Sequence, residues 1–310
     1  PAGSFSVRTS WGIALCPDQG KDLQLLIRHA DLALHHAKKH GKWRYKLYEP
    51  QLQETVYRRH AIREGLNKAI GHNEFHLVYQ PIFDIQPEQA IVVGYEALLR
   101  WESPILGIIS PTEFIPIAEN SNLILPMGQW VFEEACRFLA AFREKAGHDV
   151  ILSVNVSMRQ LAQPNFVQQV EETLRKAGVH AAAFNLEVTE SILMADVEKS
   201  VDCLEALREL GMAISLDDFG TGYSSFTYLA KLPISTLKID KSLVDDLTDN
   251  GENNSLPLLE SLLYMANRLG YRVVAEGVET PEQLRLLKEN GCFFGQGYLL
   301  GKPSLARDIL

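Results

Sequence analysis

Two adjacent carboxylates, Asp217 and Asp218, stand at the end of a short apolar run, residues 212–216. A turn rich in glycine and hydroxyl side chains, with the sequence FGTGYSS, follows them directly. Neighbouring side chains in a strand point to opposite faces, so the two carboxylates can share one task only where the strand gives way to a loop. We therefore expect both to turn toward one cleft at the carboxyl end of that strand.

Six other apolar runs carry polar side chains near their carboxyl ends. These side chains are Glu96, Arg100, Asn155, Glu187, Glu190, Lys238, Glu276, Glu279 and Gln296. Taken singly, each has an ordinary explanation: a lone glutamate lies on a solvated face, Asn155 pins a loop, Lys238 pairs with Asp240 or a surface acid, and the aspartate pair caps a helix. Taken together they favour a shared site, because inward charges are costly unless they pair or bind cations.

Apart from the cations Arg100 and Lys238, the residues of this set offer oxygen ligands, and the set contains no histidine or cysteine. Hard oxygen ligands favour Mg²⁺ or Mn²⁺ over Zn²⁺. The acids outnumber those that one octahedral ion uses while it keeps bound waters, which suggests a two-metal site.

The elements that must position these residues alternate between helix and strand from Phe75 onward. Amphipathic segments end at Gly178, Gly211, Gly270 and Gly291, and a short apolar run follows each. This alternation indicates βα units and a parallel sheet. The eight predicted strands are 75–85, 91–101, 151–157, 184–189, 213–219, 236–240, 272–278 and 293–301. Eight strands in about 250 residues predict an α/β fold of the (β/α)8 TIM-like barrel type, whose chemistry lies at the carboxyl ends of the strands.

One spacing departs from the regular barrel. Only residues 86–90 separate the first two predicted strands. Because a parallel crossover needs about a dozen residues or more, this pair is predicted to be an antiparallel hairpin. The barrel is therefore a modified one, with its first strand antiparallel.

The first 50 residues predict a short α+β piece. Residues 5–15 alternate like a strand, and residues 23–39 show a helical apolar stripe that ends before Gly41. So few elements rarely bury a self-sufficient core. We expect two parts, residues 1–50 and residues 51–310.

Composition narrows the possible partners and location. The formal net charge is −9, which argues against binding to duplex nucleic acid by bulk charge. A phosphate-bearing substrate remains compatible, since metals held by carboxylates reverse the local sign of charge. The four cysteines show no CxxC spacing and are typical of reduced thiols in a cytosolic protein. No signal peptide and no apolar run of about 20 residues is visible, so we expect a cytoplasmic segment without membrane contact, whose parent protein can still be tethered to the inner membrane.

Seven motifs together identify a family resemblance. They are EALLRW at 96–101, NVS at 155–157, EVTE at 187–190, DDFGTG at 217–222, LKID at 237–240, AEGVE at 275–279 and QGY at 296–298. In this order they resemble the EAL domains, which are cyclic di-GMP phosphodiesterases, over roughly residues 55–310. Residues 10–50 resemble the C-terminal third of a GGDEF (diguanylate cyclase) domain without its signature or its nucleotide-binding half. An inactive remnant is expected there, and an unrelated N-terminal cap is the alternative.

The EAL resemblance implies a metal-dependent hydrolysis of cyclic di-GMP to linear pGpG. By the family pattern, one metal ion is held by Glu96, Asn155, Glu187 and Asp217. Asp217 bridges to a second ion, which Asp218 and Glu276 also bind. The ions lower the pKa of the water between them, and Lys238 orients that water or helps to deprotonate it. Mg²⁺ or Mn²⁺ is expected to serve, and Ca²⁺ to inhibit.

Further residues match supporting positions of the same pattern. Glu279 and Gln296 support the metal-water network, Arg100 contacts phosphate, and Gln80 on the first strand contacts substrate. Glu190 and Thr221 steady the loop after Asp218, which the family ties to regulation and to dimerisation, so a homodimer through the barrel is expected. The departures from the pattern, at Val188, Phe226 and Ser235, affect no catalytic position.

Three readings compete. An active phosphodiesterase is favoured, because pure binding does not require all of Glu96, Asp217, Asp218 and Lys238. A cyclic di-GMP receptor that binds without turnover is the alternative from another class. An enolase-type carboxylate-metal barrel leaves the second aspartate unexplained, and diguanylate cyclase activity is rejected because the half that carries it is absent from this sequence.

Overall fold

A computed structural model describes residues 8–39, 41, 43–190, 197–220, 229, 232–248 and 255–310. The chain divides into two compact units, Pro1–Lys68 and Ala69–Leu310. The domain division proposed above at residue 50 stays a prediction.

The first unit contains a small βαβ arrangement. Strand β1 (Trp11–Ile13) pairs in parallel with β2 (Tyr45–Leu47), and helix α1 (Leu23–Lys39) connects them. A Cβ atom on Gly12 would lie 1.9 Å from the Ala30 carbonyl oxygen, so glycine is what lets β1 approach α1. Helix α1 has the predicted bounds, whereas β1 is shorter than the predicted 5–15, of which residues 5–7 lie outside the described part. Helix α2 (Pro50–Ala69) follows.

The second unit is built on one sheet, which contains ten strands among the described residues. They are β3 (Phe75–Asp84), β4 (Ile91–Ser103), β5 (Gly107–Ile109), β6 (Ile151–Asn155), β7 (Phe184–Thr189), β8 (Ala213–Phe219), β9 (Thr236–Ile239), β10 (Arg272–Ala275), β11 (Phe294–Gly295) and β12 (Ser304–Leu305). Strands β4 and β6 to β11 run parallel in chain order, and β11 pairs antiparallel with β3 to close the barrel. Strands β5 and β12 extend β4 and β3 outside the eight-stranded ring.

The modified barrel is therefore confirmed, including the antiparallel pairing of β3 with β4. The eight predicted strands all occur, but five of them end earlier than predicted, β3 and β9 by one residue and three others by more. Strand β6 ends at Asn155, β10 at Ala275 and β11 at Gly295. In each of these three strands, the backbone stops pairing with the neighbouring strand at or just before a polar residue of the barrel mouth.

Helices surround the barrel. In the described part of this unit they are α3 (Pro111–Asn120), α4 (Ile124–Ala146), α5 (Met158–Leu161), α6 (Phe166–Ala177), α7 (Val197–Glu209), α8 (Lys241–Asp245), α9 (Leu256–Leu269), α10 (Pro281–Glu289) and α11 (Ala306–Ile309), with 3₁₀ turns at Ile70–His72, Ala181–Ala183 and Asp246–Thr248. The predicted stop at Gly178 is a left-handed cap with φ 64°, as is Gly270 with φ 78°. Of the helices in the described ranges, none is long and apolar enough to cross a membrane.

Side-chain hydrogen bonds connect three barrel strands beneath the mouth, and we call these linked side chains the polar string. Asn185 on β7 donates from Nδ2 to Ser153 Oγ on β6 at 2.8 Å, and Ser215 Oγ on β8 donates to Asn185 Oδ1 at 2.8 Å. All three side chains are buried. Asn185 lies two residues before Glu187, on the same face of its strand, so the string forms the layer below the candidate site.

We predict that Asn185→Ala destabilises the barrel by about 1–3 kcal/mol, because two buried hydroxyl groups lose their partner. Urea unfolding followed by tryptophan fluorescence measures the change. The control is Asn120→Ala, which removes an exposed side chain that donates to the Pro116 carbonyl oxygen and is expected to cost no more than about 0.5 kcal/mol. Equal transitions for the two variants would show that the string carries no stability.

Candidate active site

One ammonium group lies among four carboxylates at the barrel mouth. Lys238 Nζ lies 2.6 Å from Glu276 Oε1, 2.7 Å from Glu187 Oε2, 3.3 Å from Glu96 Oε2 and 3.4 Å from Asp217 Oδ1. The lysine is 1% exposed. These five side chains come from β4, β7, β8 and β9 and from the residue after β10, so the barrel brings together residues far apart in sequence. We call them the carboxylate cluster.

Two amides attach Glu96 to the rest of the mouth. Asn155 at the end of β6 donates from Nδ2 to Glu96 Oε1 at 2.8 Å. Gln296, just after β11, donates from Nε2 to Glu96 Oε2 at 2.9 Å. Asn155 is also the register partner of Glu187 on the neighbouring strand. The structure thus places both predicted amide residues directly against the carboxylate cluster.

The aspartate pair sits in a β-bulge. The register of β8 against β9 shifts between Leu216 and Phe219, and Asp218 has a left-handed backbone with φ 56°. Bulges re-aim side chains at active sites, and aspartate tolerates this conformation better than most residues. As expected, Asp217 and Asp218 both line one groove, with a volume of about 370 Å³.

Burial and the neighbouring charges have opposite effects on the ionisation of residues in the carboxylate cluster. Burial disfavours the charged form of Lys238, but Glu187, Glu276 and Glu96 raise its pKa well above the usual value. Lys238 is therefore an ammonium ion without a lone pair to accept a proton. Burial likewise opposes ionisation of Glu96, yet Lys238 together with the two amide donors lowers the pKa of that carboxyl.

Three other acids are harder to ionise than usual. Burial, followed by the charge of Glu96, raises the pKa of Glu187 well above its ordinary value. Burial raises the pKa of Glu276 to about 7. Burial raises the pKa of Asp218 as well, and the charges of Asp217 and Asp240 add to the effect. The cationic groups that the structure describes therefore do not fully offset the negative charge of these acids.

The donor set fits divalent cations in type and in charge. Four carboxylates face a single ammonium, and Glu187 Oε1 and Gln296 Oε1 are buried without a hydrogen-bond partner among the described residues. Buried oxygens without donors are the atoms that a hard cation binds. In the described part of the chain, no three His, Cys, Asp or Glu side chains are arranged around a common point as metal ligands. The carboxylates are arranged around Lys238 instead.

The predicted substrate-contacting residues lie on the wall of the barrel mouth. Gln80 on β3 is the register partner of Glu96 and donates to the Gly301 carbonyl oxygen at 3.2 Å. Arg100 lines the groove that contains Asp217 and Asp218. Its guanidinium donates to the Leu99 carbonyl oxygen at 2.9 Å, which leaves other N–H groups for a ligand.

The predicted supporting residues are placed less uniformly. Glu279 is 3.0 Å from Lys241 Nζ and lies outside the carboxylate cluster. Glu190 has a buried Oε2 atom with no hydrogen-bond partner in the described ranges. Thr221, the residue expected to act with it, lies outside the described residues, as does Phe226.

Asp240 is a residue that the sequence reasoning did not assign to the site. Its carboxylate accepts a hydrogen bond from the Ser242 backbone N–H at 2.9 Å and caps helix α8. The charge of Asp240 also contributes to the raised pKa of Asp218. The sequence could have indicated this position. Asp240 lies two residues after Lys238, and side chains two residues apart on a strand point to the same face.

Comparison with known proteins identifies the family. The EAL-domain family profile matches residues 63–303, most of the chain. The chain belongs to the EAL-domain family of cyclic di-GMP phosphodiesterases. The carboxylate cluster lies entirely within the matched range.

Two of the curated relatives of this EAL domain are proteins of Pseudomonas aeruginosa. The cyclic di-GMP phosphodiesterase NbdA is 38% identical over 295 residues, which are 95% of this chain and 37% of NbdA. The bifunctional diguanylate cyclase/cyclic di-GMP phosphodiesterase MucR is 36% identical over 304 residues, which are 98% of this chain and 44% of MucR. The chain therefore spans less than half the length of either relative.

A solved structure supports the same assignment. The PaMucR phosphodiesterase in complex with c-di-GMP is 37% identical to the EAL domain and superposes with a TM-score of 0.75. The match covers 81% of this chain and 100% of that chain.

We predict that Glu276 makes the metal-free EAL domain less stable as the pH rises from about 5 to 7.5. Its pKa is about 7 in the folded protein, above the ordinary value of about 4.3 in the unfolded chain. The folded state therefore holds this proton more tightly, and its stabilising effect is present at low pH and is lost as the pH rises through that window.

The measurement is urea unfolding in EDTA across this pH range. Relative to Glu276→Gln, the wild type should lose on the order of 2–3 kcal/mol. Glu102→Gln, at an exposed position, is the control and should follow the wild type. Parallel pH profiles for wild type and Glu276→Gln would contradict the prediction.

Proposed function

We propose that this EAL domain hydrolyses cyclic di-GMP to linear pGpG with two divalent cations, Mg²⁺ or Mn²⁺. The observation that carries the proposal is the carboxylate cluster, in which three buried acids and the partly exposed Glu276 face one ammonium at a barrel mouth. EAL phosphodiesterases generally depend on divalent metal ions. The names of NbdA and MucR, and the c-di-GMP bound to PaMucR, support the substrate.

The ligand assignment follows the family pattern and the donor set. Glu96, Asn155, Glu187 and Asp217 would hold one ion, and Asp217 would share a second ion with Asp218 and Glu276. Bound divalent ions lower the pKa of water so that hydroxide forms near neutral pH. The buried, unpartnered Glu187 Oε1 supports the first group of ligands.

Lys238 is assigned to positioning the attacking water. A protonated ammonium donates hydrogen bonds but cannot accept a proton, and the acids around Lys238 keep it protonated. The family pattern allows two roles, orientation of the water or help in its deprotonation, and the ammonium of the metal-free site fits the first. Glu279 and Gln296 are proposed to support the network, Gln296 through its bond to Glu96.

Arg100 and Gln80 are proposed as substrate contacts. A guanidinium offers several N–H donors in a planar fork that suits phosphate oxygens. Arg100 lies beside Asp217 and Asp218 in the groove, so a phosphate that it binds would lie next to the proposed metal ligands. Glu190 and Thr221 are proposed to steady the loop after Asp218.

A second candidate function is a cyclic di-GMP receptor without turnover. It is favoured by one observation: the described carboxylates are arranged around Lys238 and not as a set of metal ligands. In that case the ammonium would be a permanent partner of the acids, and substrate would bind without being cleaved.

We further propose that residues 1–50 are the C-terminal part of a GGDEF domain with its linker and that residues 51–310 form the EAL barrel. The match to MucR covers 304 residues and so extends into the first 50. MucR is itself named as a diguanylate cyclase as well as a phosphodiesterase. Dimerisation through the barrel and a cytoplasmic location remain predictions from the sequence.

The test is incubation with cyclic di-GMP and Mg²⁺ or Mn²⁺, with pGpG measured by chromatography. Wild type should produce pGpG, and Glu96→Ala should abolish turnover. Lys238→Ala should lower kcat by about 10²-fold or more while cyclic di-GMP still binds, because a positioned water is lost. Glu102→Gln, distant in role from the cluster, should retain turnover.

Metal identity gives a second arm of the same assay. Ca²⁺ accepts larger and less regular coordination than Mg²⁺, so it should bind and inhibit. If no metal supports pGpG formation but cyclic di-GMP still binds, the protein is a cyclic di-GMP receptor and not a phosphodiesterase. Normal turnover by Lys238→Ala would refute its assigned role, and full activity in Ca²⁺ alone would refute the two-metal geometry.

A further inference from the structure

The turn after β6 is held by one glutamine. Ser157 is the N-cap of helix α5, and its Oγ accepts a hydrogen bond from the Gln160 backbone N–H at 3.4 Å. In return Gln160 Oε1 accepts from the Ser157 backbone N–H and from Ser157 Oγ, both at 3.1 Å. This turn begins directly after Asn155, the residue that donates to Glu96.

Helix α5 depends on the hydrogen bonds of Gln160 because it is too short to be stable by itself. Helix α5 has four residues, far fewer than the dozen or so that give a helix marginal stability in water. The reciprocal capping bonds satisfy donors that such a short helix leaves unpaired. Gln160 is also 7% exposed, which is unusual for a glutamine and shows that its amide is enclosed.

Helix α4 makes room for this amide at Gly128. A Cβ atom on Gly128 would lie 2.2 Å from Gln160 Nε2 and 2.5 Å from its Cδ. Glycine inside a helix is less favourable than alanine by about 1 kcal/mol. The structure therefore accepts a weaker helix at a position that faces the Gln160 amide.

The contact between Gln160 and Gly128 also separates two cavities. Both residues line the groove that contains Arg100, Asp217 and Asp218, with a volume of about 370 Å³. The same two residues line a second cavity of about 280 Å³ between α4 and α6. Asn155 lines both cavities too, so the Gln160 amide is part of the wall behind it.

We propose that Gln160 is a positioning residue, which fixes the β6–α5 turn so that Asn155 stays against Glu96 and within reach of the proposed first metal ion. The inference rests on the proposed function for the identity of that ion. Groups that orient metal ligands typically change metal affinity by about 10–100-fold when they are removed. Gln160 acts through the turn, because its amide oxygen accepts both hydrogen bonds from Ser157.

The test measures Mn²⁺ binding by the metal-dependent shift in melting temperature, with kcat and KM for cyclic di-GMP beside it. Gln160→Ala is expected to raise the half-saturating Mn²⁺ concentration about tenfold and to lower kcat more than it raises KM. Gln160→Glu keeps an oxygen acceptor for Ser157 and should stay within about threefold of wild type. Gln129→Ala is the control, because it removes a glutamine hydrogen-bonded to Glu133 and Thr173 beside the same cavity and should leave Mn²⁺ binding unchanged.

A double-mutant cycle identifies the route of the effect. Gly128→Ala should weaken Mn²⁺ binding in the wild-type background by displacing the Gln160 amide. In the Gln160→Ala background it should have no further effect, since the space is then free, and coupled residues are non-additive in this way. If Gly128→Ala folds poorly, the comparison of Gln160→Ala with Gln160→Glu still tests the inference.

The outcomes separate the inference from the proposed activity. Wild-type Mn²⁺ affinity in Gln160→Ala, a Gln160→Glu variant as impaired as Gln160→Ala, or additive effects in the cycle would each overturn the role of Gln160. A wild-type protein that binds Mn²⁺ but yields no pGpG overturns the proposed activity alone. A wild-type protein with no Mn²⁺ response overturns both.

Discussion

Four carboxylates lie within 3.4 Å of one ammonium, and the barrel mouth depends on this interaction. Three of them are buried, and Glu276 is partly exposed. Buried acids are stable only when cations or donors compensate them. Lys238 supplies one positive charge, and the amides of Asn155 and Gln296 supply donors to Glu96. The compensation is incomplete, as the raised pKa values of Glu187 and Glu276 show. This incomplete compensation is the physical basis for the proposal that divalent cations bind here.

The fold meets this constraint through the places where its strands end. Parallel strands deliver their carboxyl ends to one rim, and β6 and β10 stop at or one residue before a residue of the site. The bulge at Asp218 lets two consecutive acids face one groove, which a regular strand forbids. Short capped helices then hold the turns. Ser157 and Asp240 each cap a helix two residues after a site residue.

Much of this arrangement was predictable from the sequence, because local patterns encode it. The spacing of residues 86–90 predicted the antiparallel hairpin, and the polar residues at strand ends predicted a convergent site. The partners of individual side chains were not predictable. Lys238 binds four acids and not Asp240, and Glu279 pairs with Lys241. Such pairings depend on barrel closure and turn geometry. The role of Gln160 was not predictable either, because its spacing from Ser157 is the one sequence pattern that involves it.

The most direct measurement is the free energy of unfolding of Lys238→Met, first in EDTA and then in saturating Mn²⁺. If Lys238 is the internal counter-ion of the cluster, the variant should lose about 3–5 kcal/mol in EDTA, and Mn²⁺ should stabilise it more than it stabilises wild type. Lys241→Met, which breaks exposed ion pairs with Asp245 and Glu279, should lose no more than about 1 kcal/mol. Unchanged stability of Lys238→Met in EDTA would contradict the account.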